Sequence, residues 1–109
     1  MVNFMKLNNI INKIKAINPN IKFVGEFDEK NLRNGYWEGY FSNGKIKWKG
    51  NYINGKKDGY WVIYYFNGNL MWKGNYVNGI EEGYWENYYY NGNLWEKGNY
   101  INGTFYEIK

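Results

Sequence analysis

The chain contains no cysteine and no histidine, and only one proline, one serine and one threonine. Without cysteine there is no disulfide framework, no zinc–thiolate site and no thiol nucleophile. Without histidine the side chain most used as a general base and as a metal ligand is gone. Ser42 and Thr104 are the only aliphatic hydroxyls. No apolar run approaches the roughly 20 residues of a membrane-spanning helix. The opening "MVNFMKLNNIINKIKAIN" breaks its apolar stretches with Asn and Lys and carries no cleavage-site pattern, so a cytoplasmic location without a signal peptide is expected. A strong charge of one sign is missing as well. Fourteen Lys and Arg against ten Asp and Glu give a formal net charge of +4, which admits an acidic partner but lacks the clustering usual in nucleic-acid binders.

What the chain does have is rings and glycine. Aromatic residues make up 23% of 109 positions, with thirteen Tyr and six Trp. A chain of this length builds one domain with a modest core, so these rings must pack on one another or form a face. Asn-Gly occurs seven times, and six of the sites, at 43, 54, 67, 78, 91 and 102, are separated by alternating gaps of 11 and 13 residues. The period is therefore 24 residues with two reversals in each unit. Asn-Gly is a strong signal for a two-residue type I′ hairpin turn, because both central residues need positive φ. Type I′ reversals at all six sites predict a single-layer antiparallel β-meander, mainly β, with about eight strands. These include a half unit at 23–34, units at 35–58, 59–82 and 83–106, and a short "TFYEI" tail.

Pairing outward from Asn43-Gly44 sets Phe41 opposite Ile46, Tyr40 opposite Lys47, Gly39 opposite Trp48, Glu38 opposite Lys49 and Trp37 opposite Gly50. Each large ring then meets a glycine, and opposite charges meet at Glu38–Lys49 and Glu86–Lys97. Alternation assigns Trp37, Phe41, Ile46, Trp48, Tyr52 and their repeats, Leu70 and Leu94 among them, to a packing face. The other face, expected to be wet, receives Tyr36, Tyr40, Lys47, Lys49 and their counterparts Tyr60, Tyr64, Lys73, Tyr84, Tyr88 and Lys97. Asn87 and Glu96 make the packing face of the last unit more polar, as in a capping repeat. Ahead of the repeats, Phe4, Leu7, Ile10, Ile11, Ile14 and Ile17 recur at helical spacing, with Pro19 following. They predict one amphipathic helix within residues 1–20, expected to cover part of the packing face or to dock a partner.

"GYWEGYFSNGKIKWKGNYINGKKDG", "GYWVIYYFNGNLMWKGNYVNGIEEG" and "GYWENYYYNGNLWEKGNYING" resemble the bacterial variant of MORN repeats over roughly residues 23–106. The resemblance implies an elongated antiparallel sheet that serves as an interaction module for proteins or phospholipids, with no catalytic residue to carry over. It also implies kinship with antitoxin or immunity partners of secreted toxins. Choline- and glucan-binding wall repeats share the Gly, Trp and Tyr richness, but tend to a shorter period and belong to exported proteins.

An enzyme is not expected, nor a cofactor or metal. The carboxylates fall opposite lysines or in return turns, oxygen ligands lack loop spacing, and the glycines follow the strand period without preceding a helix. Protein binding is favoured, since rigid Tyr and Trp supply contact area at low entropic cost. The candidate contact residues are Tyr40, Tyr64, Phe66, Met71, Tyr88, Trp95, Lys47, Lys49, Lys73 and Lys97. Phe66, Met71 and Trp95 are positions where the repeat is broken. Tyr40, Tyr64 and Tyr88 beside the lysines could also stack the bases of a single-stranded nucleic acid or meet an anionic membrane, although Tyr and Lys are equally ordinary exposed strand residues. The expected partner is a protein, a toxin or another enzyme. In a phage or mobile element it would be a host defence enzyme. The oligomeric state is left open.

Overall fold

Eight antiparallel strands follow one another in space as they do in sequence, forming one open meander. They are β1 (Phe23–Phe27), β2 (Arg33–Tyr40), β3 (Ile46–Ile53), β4 (Lys56–Tyr64), β5 (Leu70–Val77), β6 (Ile80–Tyr88), β7 (Leu94–Ile101) and β8 (Thr104–Glu107). A short helix, α1 (residues 9–14), precedes them. This computed structural model describes residues 9–14 and 20–109. Of the expected helix positions, Phe4, Leu7 and Ile17 lie outside the described residues.

The Asn-Gly reversals are of two kinds. At Asn54, Asn78 and Asn102 both the Asn and the following Gly have positive φ, the type I′ geometry expected. At 43, 67 and 91 only the glycine does. There the Gly44 N–H donates to Phe41 O and the Phe41 N–H to Lys45 O, at 2.9 and 2.8 Å, and the other two sites repeat the pattern. This is a three-residue loop, a type I turn followed by a left-handed glycine. The Asn side chain explains the choice. Asn43, Asn67 and Asn91 each accept the backbone N–H two residues on through Oδ1, a local bond that keeps Asn in the ordinary φ range.

The longer loop shifts the pairing next to it. Gly39 pairs with Trp48 and Glu38 with Lys49 as expected, but Tyr40 pairs with Ile46, leaving Lys47 as an extra residue. The expected Phe41–Ile46 and Tyr40–Lys47 pairs are therefore replaced. Directly opposed residues share a face, so Ile46, Leu70 and Leu94, partners of Tyr40, Tyr64 and Tyr88, move off the assigned packing face.

The core face is a ladder of alternating Trp and Tyr. Trp37, Tyr52, Trp61, Tyr76 and Trp85 are buried, with Trp48, Trp72, Tyr100 and Phe105 packed against them. Successive rings meet edge to face, Tyr52 on Trp61 at 5.0 Å and Tyr76 on Trp85 at 5.1 Å between centroids, a favoured arrangement for aromatic quadrupoles. Trp37 pairs with Gly50, Trp61 with Gly74 and Trp85 with Gly98 in the register expected. The rings, however, lie over the glycines of the preceding strand: Gly25, Gly50 and Gly74. The indole N–H groups of Trp37, Trp61 and Trp85 donate to the carbonyls of Glu26, Asn51 and Asn75. Those residues flank the points where strand pairing shifts register, so each Trp fastens the sheet where its ladder is interrupted. Losing one such buried Trp costs about 3–5 kcal/mol. In the last unit Asn87 pairs with Glu96, and its side-chain amide donates to that carboxylate at 3.3 Å.

Helix α1 lies on the other face. Ile11 joins Val24 and Tyr40 in a second buried cluster, with Ile14, Ile21, Tyr36 and Ile46 against it. The expectation that the helix covers the Trp face is thus corrected. The Trp ladder is closed by its own rings, whereas the β1–β3 end of the tyrosine face exposes aliphatic Val24 and Ile46 and needs a lid.

Candidate binding surfaces

One cross-strand row runs the breadth of the tyrosine face. It consists of Val24, Glu38, Lys49, Val62, Lys73, Glu86 and Lys97, each directly opposite the next. The 24-residue period places Glu38, Val62 and Glu86, and likewise Lys49, Lys73 and Lys97, at equivalent positions of successive units, and strand alternation aims them to one side. Tyrosines two residues away on the same strands flank the row. The Tyr36 and Tyr40 hydroxyls both donate to Glu38, at 2.6 Å each. Tyr84 donates to one oxygen of Glu86 at 2.7 Å and Tyr88 to the other at 2.5 Å. In the middle unit Val62 takes the carboxylate's place and is buried.

The two hydroxyl bonds from Tyr88 and Tyr84 hold the Glu86 carboxyl below the usual carboxylate range, aided by Lys73. Its ion pair is with Lys73, at 3.1 Å. The bonds to Glu86 raise the Tyr88 and Tyr84 hydroxyls in turn. Burial first, and the bond to Glu38 second, push Tyr36 and Tyr40 well above the usual phenol range. The Tyr36, Tyr40, Tyr84 and Tyr88 rings are therefore held by charge-assisted bonds rather than left to rotate freely.

Helix α1 divides this face. Tyr40 is buried with it, while Tyr60 and Tyr84 are 57% and 46% exposed on the uncovered part. Tyr64, Tyr88, Lys49, Lys73 and Lys97 come together there, half-buried, with the Lys49 ammonium 5.9 Å from the centre of the Tyr64 ring. Phe66 and Trp95 stand on the rim formed by the longer hairpin loops, both exposed. Phe66 packs edge-on against Phe41, and Trp95 stacks on Tyr89 at 5.7 Å. Lys47 reaches over Phe41 at the same rim, and Met71 is half-buried in β5.

The Trp face holds a cleft of about 310 Å³ that sequence reasoning missed, lined by Arg33, Trp48, Tyr52, Lys57, Trp61, Ile63 and Trp72. Burial lowers the Lys57 ammonium, with Glu81 opposing the shift. The available signal was a column of the repeat: positions 33, 57, 81 and 105 hold Arg, Lys, Glu and Phe, whereas 35, 59 and 83 are all Gly and 37, 61 and 85 are all Trp. Among the described residues no group of three or more His, Cys, Asp or Glu could hold a metal ion. No helix among them is long and apolar enough to cross a membrane.

A family model described as MORN repeat variant matches residues 33–54, 57–78 and 81–102. These segments coincide with the hairpins β2–β3, β4–β5 and β6–β7 to within one residue at each end. Comparison with curated proteins and with solved structures gives no match.

Proposed function

The chain belongs to the MORN repeat variant family, and from that premise we propose that it is a non-enzymatic module that holds a partner protein on the uncovered part of its tyrosine face. MORN repeats are binding modules. The observation that carries the choice of partner is the charge row. Glu86 stands between Lys73 and Lys97, locked by two tyrosine hydroxyls, and Val62 interrupts the row again between Lys49 and Lys73. A phosphate backbone or an anionic lipid surface meets a carboxylate in the middle of its track and gains few simultaneous contacts. A protein surface can match alternating charge with complementary residues and bury the tyrosine rings between them.

Holding the partner neutralises it, in an antitoxin- or immunity-like role if the partner is a toxin. In a phage or mobile element the same surface would inhibit a host defence enzyme. The chain's mild positive charge fits an acidic partner or steric blockage better than imitation of a nucleic-acid substrate. The proposed setting is the cytoplasm.

Affinity capture from the source cell, repeated with Tyr64→Ala/Tyr88→Ala, tests this reading. The expected result is a protein held by the parent chain and weakened about tenfold or more in the variant, the size of a hot-spot loss. Recovery of RNA with steeply salt-dependent affinity, or flotation with anionic vesicles and no protein, would replace it with one of the other partner classes.

A further inference from the structure

We propose that the Arg33–Lys57 cleft, on the opposite face from the surface above, is a binding site for a carboxylate attached to a flat apolar group about the size of one aromatic residue. The walls are aromatic: Trp48, Trp61 and Trp72 line the cleft with Tyr52. Arg33 begins β2 and Lys57 is the second residue of β4, two strands away, with Tyr52 of β3 between them, a separation of about 10 Å. The guanidinium carbon of Arg33 lies 4.6 Å from the Trp37 ring centre, its nearest, and 5.3, 5.4 and 5.8 Å from those of Phe23, Tyr52 and Trp48. One of its nitrogens donates to the Tyr52 hydroxyl at 3.1 Å, which leaves its other N–H groups for an acceptor. The Lys57 ammonium lies 5.1 Å from the ring centres of Trp61 and Tyr76.

Among the described residues neither cation has a carboxylate at ion-pair distance, and Glu81 acts on Lys57 only from farther away. Ring contacts alone do not account for them. The same repeat position carries Glu81 and Phe105 in later units, where the ladder continues with Trp85 and Tyr100, so covering the rings does not require positive charge. Two half-buried cations set on aromatic rings, with no carboxylate at ion-pair distance, are matched by an anion, and a guanidinium binds a planar carboxylate well through paired N–H groups. The volume is at the low end for a ligand pocket, which suits one ring with its acid group and excludes a nucleotide.

The acid can be a chain terminus or an acidic side chain beside a ring, and two probes separate these sources. N-acetyl-phenylalanine carries the first and N-acetyl-aspartyl-phenylalaninamide the second, with N-acetyl-phenylalaninamide as the neutral control and inorganic phosphate as the competing anion. Binding to the full chain is followed by the indole N–H resonances of Trp48 and Trp72. At least one carboxylated probe is expected to bind about tenfold more tightly than the neutral control, the size of one charge-assisted contact. Arg33→Gln and Lys57→Met should each remove that preference. Lys57→Arg should retain it and serves as the folded control, while Tyr64→Ala/Tyr88→Ala should leave it unchanged. Equal affinity for the neutral control, preference surviving in both charge-removing variants, tighter binding of phosphate, or no saturable shift with either acid would each overturn the assignment. Loss of the preference in Tyr64→Ala/Tyr88→Ala would also count against it, by tying the cleft to the other face.

Discussion

The indole of Trp61 lies flat over Gly50, so close that a Cβ added to that glycine would sit 2.2 Å from the ring. Neither side can yield. The ring is held by its N–H bond to Asn51 and by Tyr52 and Tyr76 on its flanks, and the glycine is strand backbone. Gly50→Ala is expected to lower stability by at least about 1–3 kcal/mol, measured as a fall in the urea midpoint. The penalty should shrink in a Trp61→Leu background, where the collision is relieved. A double-mutant cycle measures that coupling, and additive penalties would mean that the contact is not the cause.

Asn43 and Asn54 begin the same dipeptide but should answer substitution in opposite ways. Asn54 sits at φ 51°, where a residue without Cβ is at ease. Asn43 instead supplies a side-chain acceptor to the Lys45 N–H at 3.0 Å. Asn54→Gly should therefore be nearly neutral, and Asn54→Ala should cost about 1 kcal/mol or more. At Asn43 the Asp variant should be tolerated and the Gly variant should lose roughly 0.5–1 kcal/mol. Thermal unfolding of the four variants checks the pattern, and equal responses at the two sites would contradict it.

Glu86 links stability to pH. Its carboxyl is held below the usual range first by the Tyr88 and Tyr84 hydroxyls and then by Lys73. A depressed folded-state value means that the stabilisation is complete above the unfolded carboxylate range and is lost as pH falls through the lowered value. Glu86→Gln should be less stable than the parent at neutral pH, and the gap should close progressively below about pH 4. Urea midpoints for both chains across that range provide the measurement. Added salt should narrow the neutral gap only partly, because hydroxyl bonds make the larger contribution.

Much of the sheet was legible because turns and alternation are local. The period of the Asn-Gly pairs gives the order of strands, and Trp37 opposite Gly50 follows from counting residues. What counting misses is an extra residue beside a loop. Lys47 bulges because the Asn43 side chain selects a three-residue turn, and a one-residue slip moves Ile46 to the opposite face. The side on which α1 packs was hidden for a related reason. Its choice depends on Val24 and Ile46 meeting Tyr40, a cluster that exists only after the slip. Of the expected contact residues, Tyr64, Tyr88, Lys49, Lys73 and Lys97 follow from alternation and share the uncovered surface. Tyr40 has the same position in the repeat but lies buried with α1. The Arg33–Lys57 cleft went unread because its two cations belong to different units and meet the same aromatic walls only in the folded sheet.

The central claim is that the uncovered tyrosine face holds a protein. Its most direct test is the dissociation constant of the captured partner for the parent chain and for Tyr64→Ala/Tyr88→Ala, with urea midpoints determined on both. The account predicts about a tenfold or greater loss of affinity in a variant that remains folded. Unchanged affinity in that folded variant would contradict it.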